Sequence, residues 1–281
     1  HLTYTILDAD SPVKLELRPS MHFRPFEAPV NRPLLGPYEV RGKGCQFEIH
    51  SNENYPPLRL HLFGESSRFI HDGGSTREIF YEHDALRGYE SRGLLWSPGY
   101  FSVDLAKEKA ATLIASTEDW HIMTALDPES AYLTEVQRRN RLIRIASPEA
   151  QSGAAAELVL AADQFIITPA GRIKDAARAR ASGDELRSII AGYHWFTDWG
   201  RDTMISLEGL TLTTGRYQEA AWILRTFAHY VRDGLIPNMF PEGQNEGLYH
   251  TADASLWFFQ ALERYLEVTG DYETLQMLLP T

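Results

Sequence analysis

Cysteine and long apolar runs are scarce or absent in this sequence. The 281 residues contain one cysteine, Cys45, so no internal disulfide can form. A lone cysteine fits a reducing compartment, and we therefore expect a cytoplasmic location. No apolar run approaches the roughly 20 residues that a membrane-spanning helix needs, so we expect no membrane partner.

Motifs for metals, nucleotides and serine nucleophiles are also missing. The histidines are scattered, and no HExxH or CxxC spacing occurs among them or around Cys45. The sequence contains no phosphate-binding glycine loop and no GxSxG nucleophile elbow. We therefore expect no metal ion and no cofactor.

Positive charge is in deficit. The chain has 27 Lys and Arg against 38 Asp and Glu, a net charge of −11. Such a chain offers no basic patch for phosphates, so we expect no nucleic-acid partner. A neutral ligand such as a carbohydrate remains compatible with this charge. Hydrophobic residues make up 43% of the chain, which is enough for a folded core.

The first part of the chain, residues 1–124, is rich in predicted strands. Apolar and polar residues alternate with a period of two, as in half-buried antiparallel strands, or form short β-prone runs. These segments are Val13–Arg18, Leu58–Phe63 and Thr112–Thr117. Turn residues at Asp72-Gly73-Gly74 and Pro98-Gly99 predict chain reversals. The pattern predicts an antiparallel β-sandwich domain over residues 1–124.

The second part, residues 125–281, has helical periodicity. Short glycine-containing links separate the apolar stripes, as in antiparallel helix hairpins. The predicted helices cover about 203–214, 217–232, 252–268 and 271 onward. Residues 169–183 are interpreted as a mobile link. The fold class predicted for the whole chain is therefore α+β with two domains.

One twelve-residue segment, Gly192–Thr203, combines four aromatic rings with Arg201, Asp202 and Asp198 just before a predicted helix. Trp195 and Trp199 offer faces that stack on the C–H groups of a sugar. Arg201 offers a fork of donors, and Asp202 accepts hydrogen bonds from hydroxyls. The segment predicts a sugar-binding wall; the alternative is an ion pair that joins a helix start to a loop.

Asp198 lies four residues before Asp202, a spacing that would place both on one face of a helix, but Gly200 between them argues against one continuous helix. We expect the two side chains to diverge. Asp198 is either a catalytic base or an acceptor that stabilises the loop.

A second acidic and aromatic segment is Gly247–Phe259. Asp253 either caps the helix that follows or faces the same pocket as Arg201 and Asp202. Trp257 and Phe258 point in adjacent directions, so one of them belongs to the core. We take Trp257 as the candidate for the binding site.

Two further segments are weaker candidates. Glu242, Gln244 and Glu246 follow a proline-fixed loop and either reach a ligand or face solvent. The aromatic residues of Ser91–Phe101 either bind sugar at a turn or form a corner that packs the sandwich onto the helical part.

The combination of motifs closely resembles the glycogen debranching enzymes, in their amylo-α-1,6-glucosidase part and in the bacterial and archaeal type. The segments that carry the resemblance are Ser97–Asp104, Trp199–Thr203, Gly209-Leu210, Thr214–Tyr217, Gly234–Asn238 and Asp253–Phe258. The Arg-Asp pair at a helix start is also similar to that of the glucoamylases. The resemblance implies an N-terminal β-sandwich and an (α/α)6 barrel.

The same resemblance implies a function. It implies inverting hydrolysis of α-1,6-linked glucosyl branch stubs in glycogen or another branched α-glucan. Arg201 and Asp202 would hold the glucose, with Asp253 close by. The general acid and base of the family belong to later segments, so we expect them beyond Thr281. We therefore expect this chain to be a fragment, incomplete at both ends and inactive alone.

Other classes stay open at this point. Trehalase-like and glycosylglycerate hydrolases share the barrel and differ in the second subsite. A non-catalytic carbohydrate-binding module would carry its affinity in residues 1–120. A purely structural protein would use Arg201 for stability alone.

Overall fold

A computed structural model describes residues 1–8, 11–36, 38–169, 171–193, 195–241 and 246–279. The chain divides into two compact units, His1–Thr134 and Glu135–Thr281. Antiparallel strands dominate the first unit and helices dominate the second, which confirms the α+β class. The domain boundary expected after residue 124 stays a prediction. Within the described ranges, no helix combines the length and the apolar character that crossing a membrane requires.

The first unit contains two antiparallel sheets. Its strands, in chain order, are β1 (Leu2–Tyr4), β2 (Val13–Leu17), β3 (Glu39–Lys43), β4 (Gln46–His50), β5 (Leu58–Phe63), β6 (Glu65–Phe80), β7 (Arg92–Leu105) and β8 (Ala111–Ser116). Two short helices, α1 (Glu82–Leu86) and α2 (Trp120–Met123), belong to the same unit. The larger sheet has the order β1-β8-β5-β4-β3 and the smaller has the order β2-β7-β6.

The two sheets share one hydrophobic core. In β5, Leu60 and Leu62 are buried while the residues between and beside them are less so, as the alternating pattern predicts. Phe47 of β4 lies against two rings of the smaller sheet, with centroids 4.3 Å from Phe69 and 5.7 Å from Phe101. Each fully buried large apolar side chain stabilises the fold by about 1.5–3 kcal/mol. The core between the sheets therefore holds this unit together.

The two predicted turns at Gly73-Gly74 and Pro98-Gly99 are wrong. Both lie inside the long β6–β7 hairpin, where His71 pairs with Gly99 and Ser75 pairs with Ser97. Residues 72–74 therefore stand opposite Pro98 alone, and the extra residues form a bulge in β6. A bulge uses the same glycine-rich sequence as a turn, because Gly73 and Gly74 adopt φ values of +83° and +81°.

The second unit is mostly helical. Its elements are α3 (Pro128–Ile145, which spans the division), α4 (Gly153–Asp163), β9 (Ile166–Ile167), α5 (Ile173–Ala181), β10 (Ser188–Ile189), α6 (Gly200–Leu207), α7 (Tyr217–Ala228), α8 (Asp253–Thr269) and α9 (Tyr272–Leu278). A π-helical turn, Glu208–Leu212, continues α6. Strands β9 and β10 pair antiparallel. The predicted helix over 217–232 ends at Ala228 instead.

Helices α6, α7 and α8 supply most of one core. The side chains of Leu207, Ile223, Leu224 and Phe227 are completely buried there. Helices α6 and α8 pack against each other, and their first turns meet where Arg201 contacts Asp253. The complete (α/α)6 barrel stays a prediction.

The interpretation of residues 169–183 as a mobile link is wrong for most of the segment. Residues 173–181 form α5, and Asp175 in its first turn is buried. The Ala, Arg and Lys residues of this segment are strong helix formers. This explains why a segment with the composition of a linker forms a helix. Residue 170 lies outside the described ranges.

Candidate functional site

The N-terminus of α6 is held by the segment that precedes α8. The backbone N–H of Gly200 donates to the backbone carbonyl of Asn238 (2.9 Å), and the N–H of Arg201 donates to Asn238 Oδ1 (3.3 Å). A Cβ atom on Gly200 would lie 2.1 Å from the carbonyl oxygen of Pro237. Only glycine permits this close approach. The backbone contact therefore fixes the position of the first turn of α6, which contains Arg201 and Asp202.

Arg201 lies between two carboxylates. Its Nη1 is 3.4 Å from Asp253 Oδ2, and its Nε is 3.9 Å from Asp202 Oδ2. Asp253 is the first residue of α8 and follows the N-cap residue Ala252, so its contact with Arg201 favours the alternative in which it faces Arg201. The side chains of the three are 38%, 44% and 48% exposed, in the order Arg201, Asp202, Asp253. The structure thus brings together the charged residues of the two predicted motifs.

Asp202 has an acceptor that its surroundings leave unused. Its Oδ2 is inaccessible and accepts no hydrogen bond from the described residues. Thr251 Oγ1, two residues before Asp253, is in the same condition. Buried polar atoms without partners are rare in folded proteins and ask for an explanation. Asp202 and Asp253 each lie in the first turn of a helix, where the helix dipole favours negative charge.

The predicted aromatic residues differ in burial. Trp257 is 39% exposed and follows Asp253 by one helical turn, so both lie on the same side of α8. Phe258 is buried in the core, which confirms that the two adjacent rings divide between surface and interior. Trp199 is half-buried and packs edge to face with Phe196, with centroids 6.2 Å apart. Trp195 is half-buried as well.

Asp198 occupies a different environment. Its Oδ2 accepts from Arg172 Nη1 (2.7 Å) and from Ser188 Oγ (2.8 Å), and its side chain is buried. Burial raises the pKa of this carboxyl, and the charge of Arg172 opposes the rise. These contacts favour the role of a loop-stabilising acceptor over that of a base. Asp198 and Asp202 diverge, as the intervening Gly200 predicts.

The partners of Asp198 were not found by sequence reasoning. Arg172 Nε also donates to Asp175 Oδ2 (2.7 Å), and the hydroxyl of Tyr230 donates to the Asp175 carboxylate (2.6 Å). Arg172 immediately precedes α5, 26 residues before Asp198. No local motif marks a pairing over this distance. The one local feature that could have indicated the cluster is Arg172 at the start of a helix. An arginine in such a position usually has a solvated side chain, so the feature does not predict a buried ion pair.

The weaker candidates have different outcomes. Glu242 and Gln244, like His194, lie outside the described residues, and Glu246 is exposed. Trp96 lies within β7 and packs edge to face with Tyr38, 5.3 Å between centroids, against the core of the first unit. The interpretation of Ser91–Phe101 as a turn is therefore wrong. Over the described ranges, no group of three or more His, Cys, Asp and Glu side chains is arranged to hold a metal ion.

Part of each unit matches a known protein family. Residues 1–112 match the family described as the N-terminal region of glycogen debranching enzyme. Residues 160–281 match the family described as amylo-alpha-1,6-glucosidase. The fold and the two matches thus define an α+β protein in which a β-rich debranching-enzyme region precedes a helical glucosidase region. The chain belongs to the glycogen debranching enzyme family.

A relative supports the same assignment over a shorter stretch. The chain is 39% identical over 98 residues to a protein of Saccharomyces cerevisiae named glycogen debranching enzyme. The matched region covers 33% of this chain and 6% of the yeast protein.

Proposed function

We propose that this chain forms the glucose-binding part of an amylo-α-1,6-glucosidase that removes α-1,6-linked glucosyl stubs from glycogen or a limit dextrin. The family match over residues 160–281 supports the reaction class. The observation that carries the proposal is the 3.4 Å contact between Arg201 and Asp253, because it joins the two motifs into one polar group. Branched α-glucan is the proposed partner.

The residues of this group have complementary roles in the proposal. The guanidinium of Arg201 is planar and donates to two adjacent hydroxyls of glucose. Asp202 accepts from sugar hydroxyls through the exposed part of its carboxylate, since its side chain is 44% exposed. Asp253 orients Arg201 and accepts from a further hydroxyl. Trp257, with Trp195 and Trp199, covers the apolar C–H face of the ring.

The reaction itself needs groups of another kind. Hydrolysis breaks the bond between the glucose C1 and the O6 of the main chain, with a proton delivered to O6 and water oxygen bonded to C1. An inverting enzyme uses an acid and a base roughly 6.5–9.5 Å apart for this purpose. Asp202 and Asp253 both lie beside Arg201, and in this proposal all three bind the sugar. We therefore propose that the acid and the base come from residues beyond Thr281.

The test is release of free glucose from a phosphorylase limit dextrin by the full-length protein that contains this chain. The Asp202→Asn variant keeps the shape of the side chain and removes its charge. We expect glucose release to fall by about a hundredfold or more, since a misplaced substrate alone costs on that order. Glu208→Gln, an exposed carboxylate paired with Arg264 and placed just after α6, is the matched control and should keep full activity.

Two results would count against the proposal. If the protein cleaves trehalose or a glycosylglycerate and not the limit dextrin, it is a glycosidase, but the proposed substrate is wrong. Equal activity of the Asp202→Asn and Glu208→Gln variants would remove Asp202 from the glucose site.

A further inference from the structure

A buried ion cluster lies behind the candidate site. It consists of Arg172, Asp175, Asp198 and the hydroxyl of Tyr230. The Arg172 side chain is 2% exposed, and its two carboxylate partners are buried almost as completely. Isolated buried charges are expensive; here two carboxylates compensate the guanidinium through Nε and Nη1, while Nη2 has no hydrogen-bond partner among the described residues.

Arg172 contacts both segments that set the N-terminus of α6. On one side its Nη1 binds Asp198, which immediately precedes Trp199 and Gly200. On the other side its guanidinium lies over the ring of Phe240, 3.8 Å from the centroid. Phe240 follows Asn238, the residue that binds the backbone of Gly200 and Arg201.

The two segments also pair directly with each other. Thr197 Oγ1 donates to the carbonyl of Phe240 (3.2 Å), Trp199 forms a β-bridge with Met239, and Gly200 N donates to Asn238 O (2.9 Å). Arg172 therefore lies at one end of a short antiparallel ladder, and Arg201 lies at the other. A shift at the buried end is transmitted along paired backbone to the exposed group.

We propose that Arg172 is a positioning residue: through Asp198 and Phe240 it fixes the ladder 197–201/238–240 that aims Arg201 and Asp202 at the sugar. This proposal rests on the proposed function for its consequence in binding, but the fixing of the ladder is testable without any ligand. Lysine in this place keeps the charge and loses the fork that reaches Asp175 and Asp198 together.

The first experiment is hydrogen exchange on the whole 281-residue chain, with Arg172→Lys compared with the wild type. We expect the amides of Gly200 and Arg201 to exchange about tenfold faster or more, because their acceptor Asn238 loses its support. The matched control is Arg216→Lys. Arg216 also joins two carboxylates, Asp163 (2.6 Å) and Glu219 (2.9 Å), but contacts neither segment of the ladder.

Equal exchange at Gly200 and Arg201 in the two lysine variants would overturn the proposal, because the effect would then be general loosening. If Arg172→Lys does not fold, Asp198→Asn replaces it. This variant keeps an acceptor for Arg172 and removes the charge, and the same local increase in exchange is expected.

The second experiment measures the dissociation constant of the chain for a branched maltooligosaccharide by calorimetry. We expect Arg172→Lys to bind about tenfold more weakly or worse, and Arg216→Lys to bind as the wild type does. Unchanged affinity together with a loosened ladder would overturn the link between ladder and site. Absence of binding by the wild-type chain, together with a loosened ladder in Arg172→Lys, would instead count against the proposed function and leave the fixing of the ladder established.

Discussion

Arg201 Nη1 and Asp253 Oδ2 lie 3.4 Å apart although 52 residues separate them in the chain. Each stands in the first turn of a helix, and both side chains are partly exposed. Exposed ion pairs contribute about 0–1 kcal/mol to folding. The pair is therefore a weak contributor to stability, and its role is better sought in what it binds.

The first prediction concerns Asp253→Asn. We expect the free energy of unfolding to change by less than about 1 kcal/mol, because the pair is solvent-screened. Affinity for a branched maltooligosaccharide should fall about tenfold or more, because Arg201 loses the partner that orients it. Urea unfolding and calorimetric titration of the same samples separate the two effects.

The chain supplies a matched pair for this comparison. Arg264 Nη2 and Glu208 Oε1 are 2.6 Å apart, with side chains 39% and 47% exposed. Arg264→Gln should therefore have a similarly small effect on stability and none on glucan affinity. A parallel loss of affinity in both variants would contradict the assignment of Asp253 to the site.

The second prediction contrasts two glycines of one helical segment. Gly200→Ala places a Cβ 2.1 Å from the Pro237 carbonyl, so the backbone must move. We expect a loss of about 1–3 kcal/mol, the usual effect of overpacking, and weaker glucan binding. Gly209→Ala meets nothing within 4 Å and should stabilise the helix by about 0.5–1 kcal/mol. Thermal unfolding of the two variants checks the opposite signs; a Gly200→Ala protein as stable as the wild type would contradict the close approach.

The elements that the sequence predicts well are those with a regular period. The alternation in Leu58–Phe63 matches β5 at both ends, because one face of that strand is buried and the other is less so. The sequence does not distinguish the bulge at Gly73-Gly74 from a turn, because both structures use positive φ and the local sequence does not indicate whether the partner strand continues.

The candidate site was predictable in part for a related reason. Two similar motifs, each an aspartate at a helix start, indicated that Arg201 and Asp253 could meet, and the structure brings them together. The buried cluster was not predictable, because Arg172 and Asp198 lie 26 residues apart and pair through the tertiary fold. Likewise, the contact of Gly200 with Pro237 depends on a loop that follows α7. Long-range pairings of single polar residues leave no periodic pattern in a sequence.

The third prediction is that breaking the buried cluster strongly destabilises the fold. Asp175→Asn leaves Arg172 with one buried carboxylate and removes the charged acceptor of Tyr230. We expect a loss of about 3–5 kcal/mol in the free energy of unfolding. Urea unfolding followed by far-ultraviolet circular dichroism, which is dominated by helices, reports the second unit.

The control for this measurement is an exposed carboxylate. Glu135 pairs with Arg138 on the surface of α3, so Glu135→Gln should cost about 1 kcal/mol or less. A loss in Asp175→Asn no larger than the loss in Glu135→Gln would contradict the expected cost of breaking the cluster.

The fourth prediction concerns acid stability at the start of α9. Asp271 caps this helix: its carboxylate accepts from the backbone N–H of Thr274 (3.0 Å), the hydroxyl of Thr274 (2.7 Å) and the hydroxyl of Tyr265 (2.5 Å). The Tyr265 hydrogen bond, followed by those from Thr274, lowers the pKa of Asp271 to about 2 from an ordinary 3.8. Because the folded-state pKa is the lower one, the carboxylate stabilises the fold above pH 4, and this contribution is lost as the pH falls toward 2.

Asp271→Asn isolates the charge, since asparagine also caps helices well. We expect the variant to be less stable than the wild type at neutral pH and the difference to shrink steadily between about pH 4 and pH 2. Urea midpoints measured across this range give the difference directly. A gap that stays constant down to pH 2 would mean that the loss in the variant comes from altered geometry and not from the charge of Asp271.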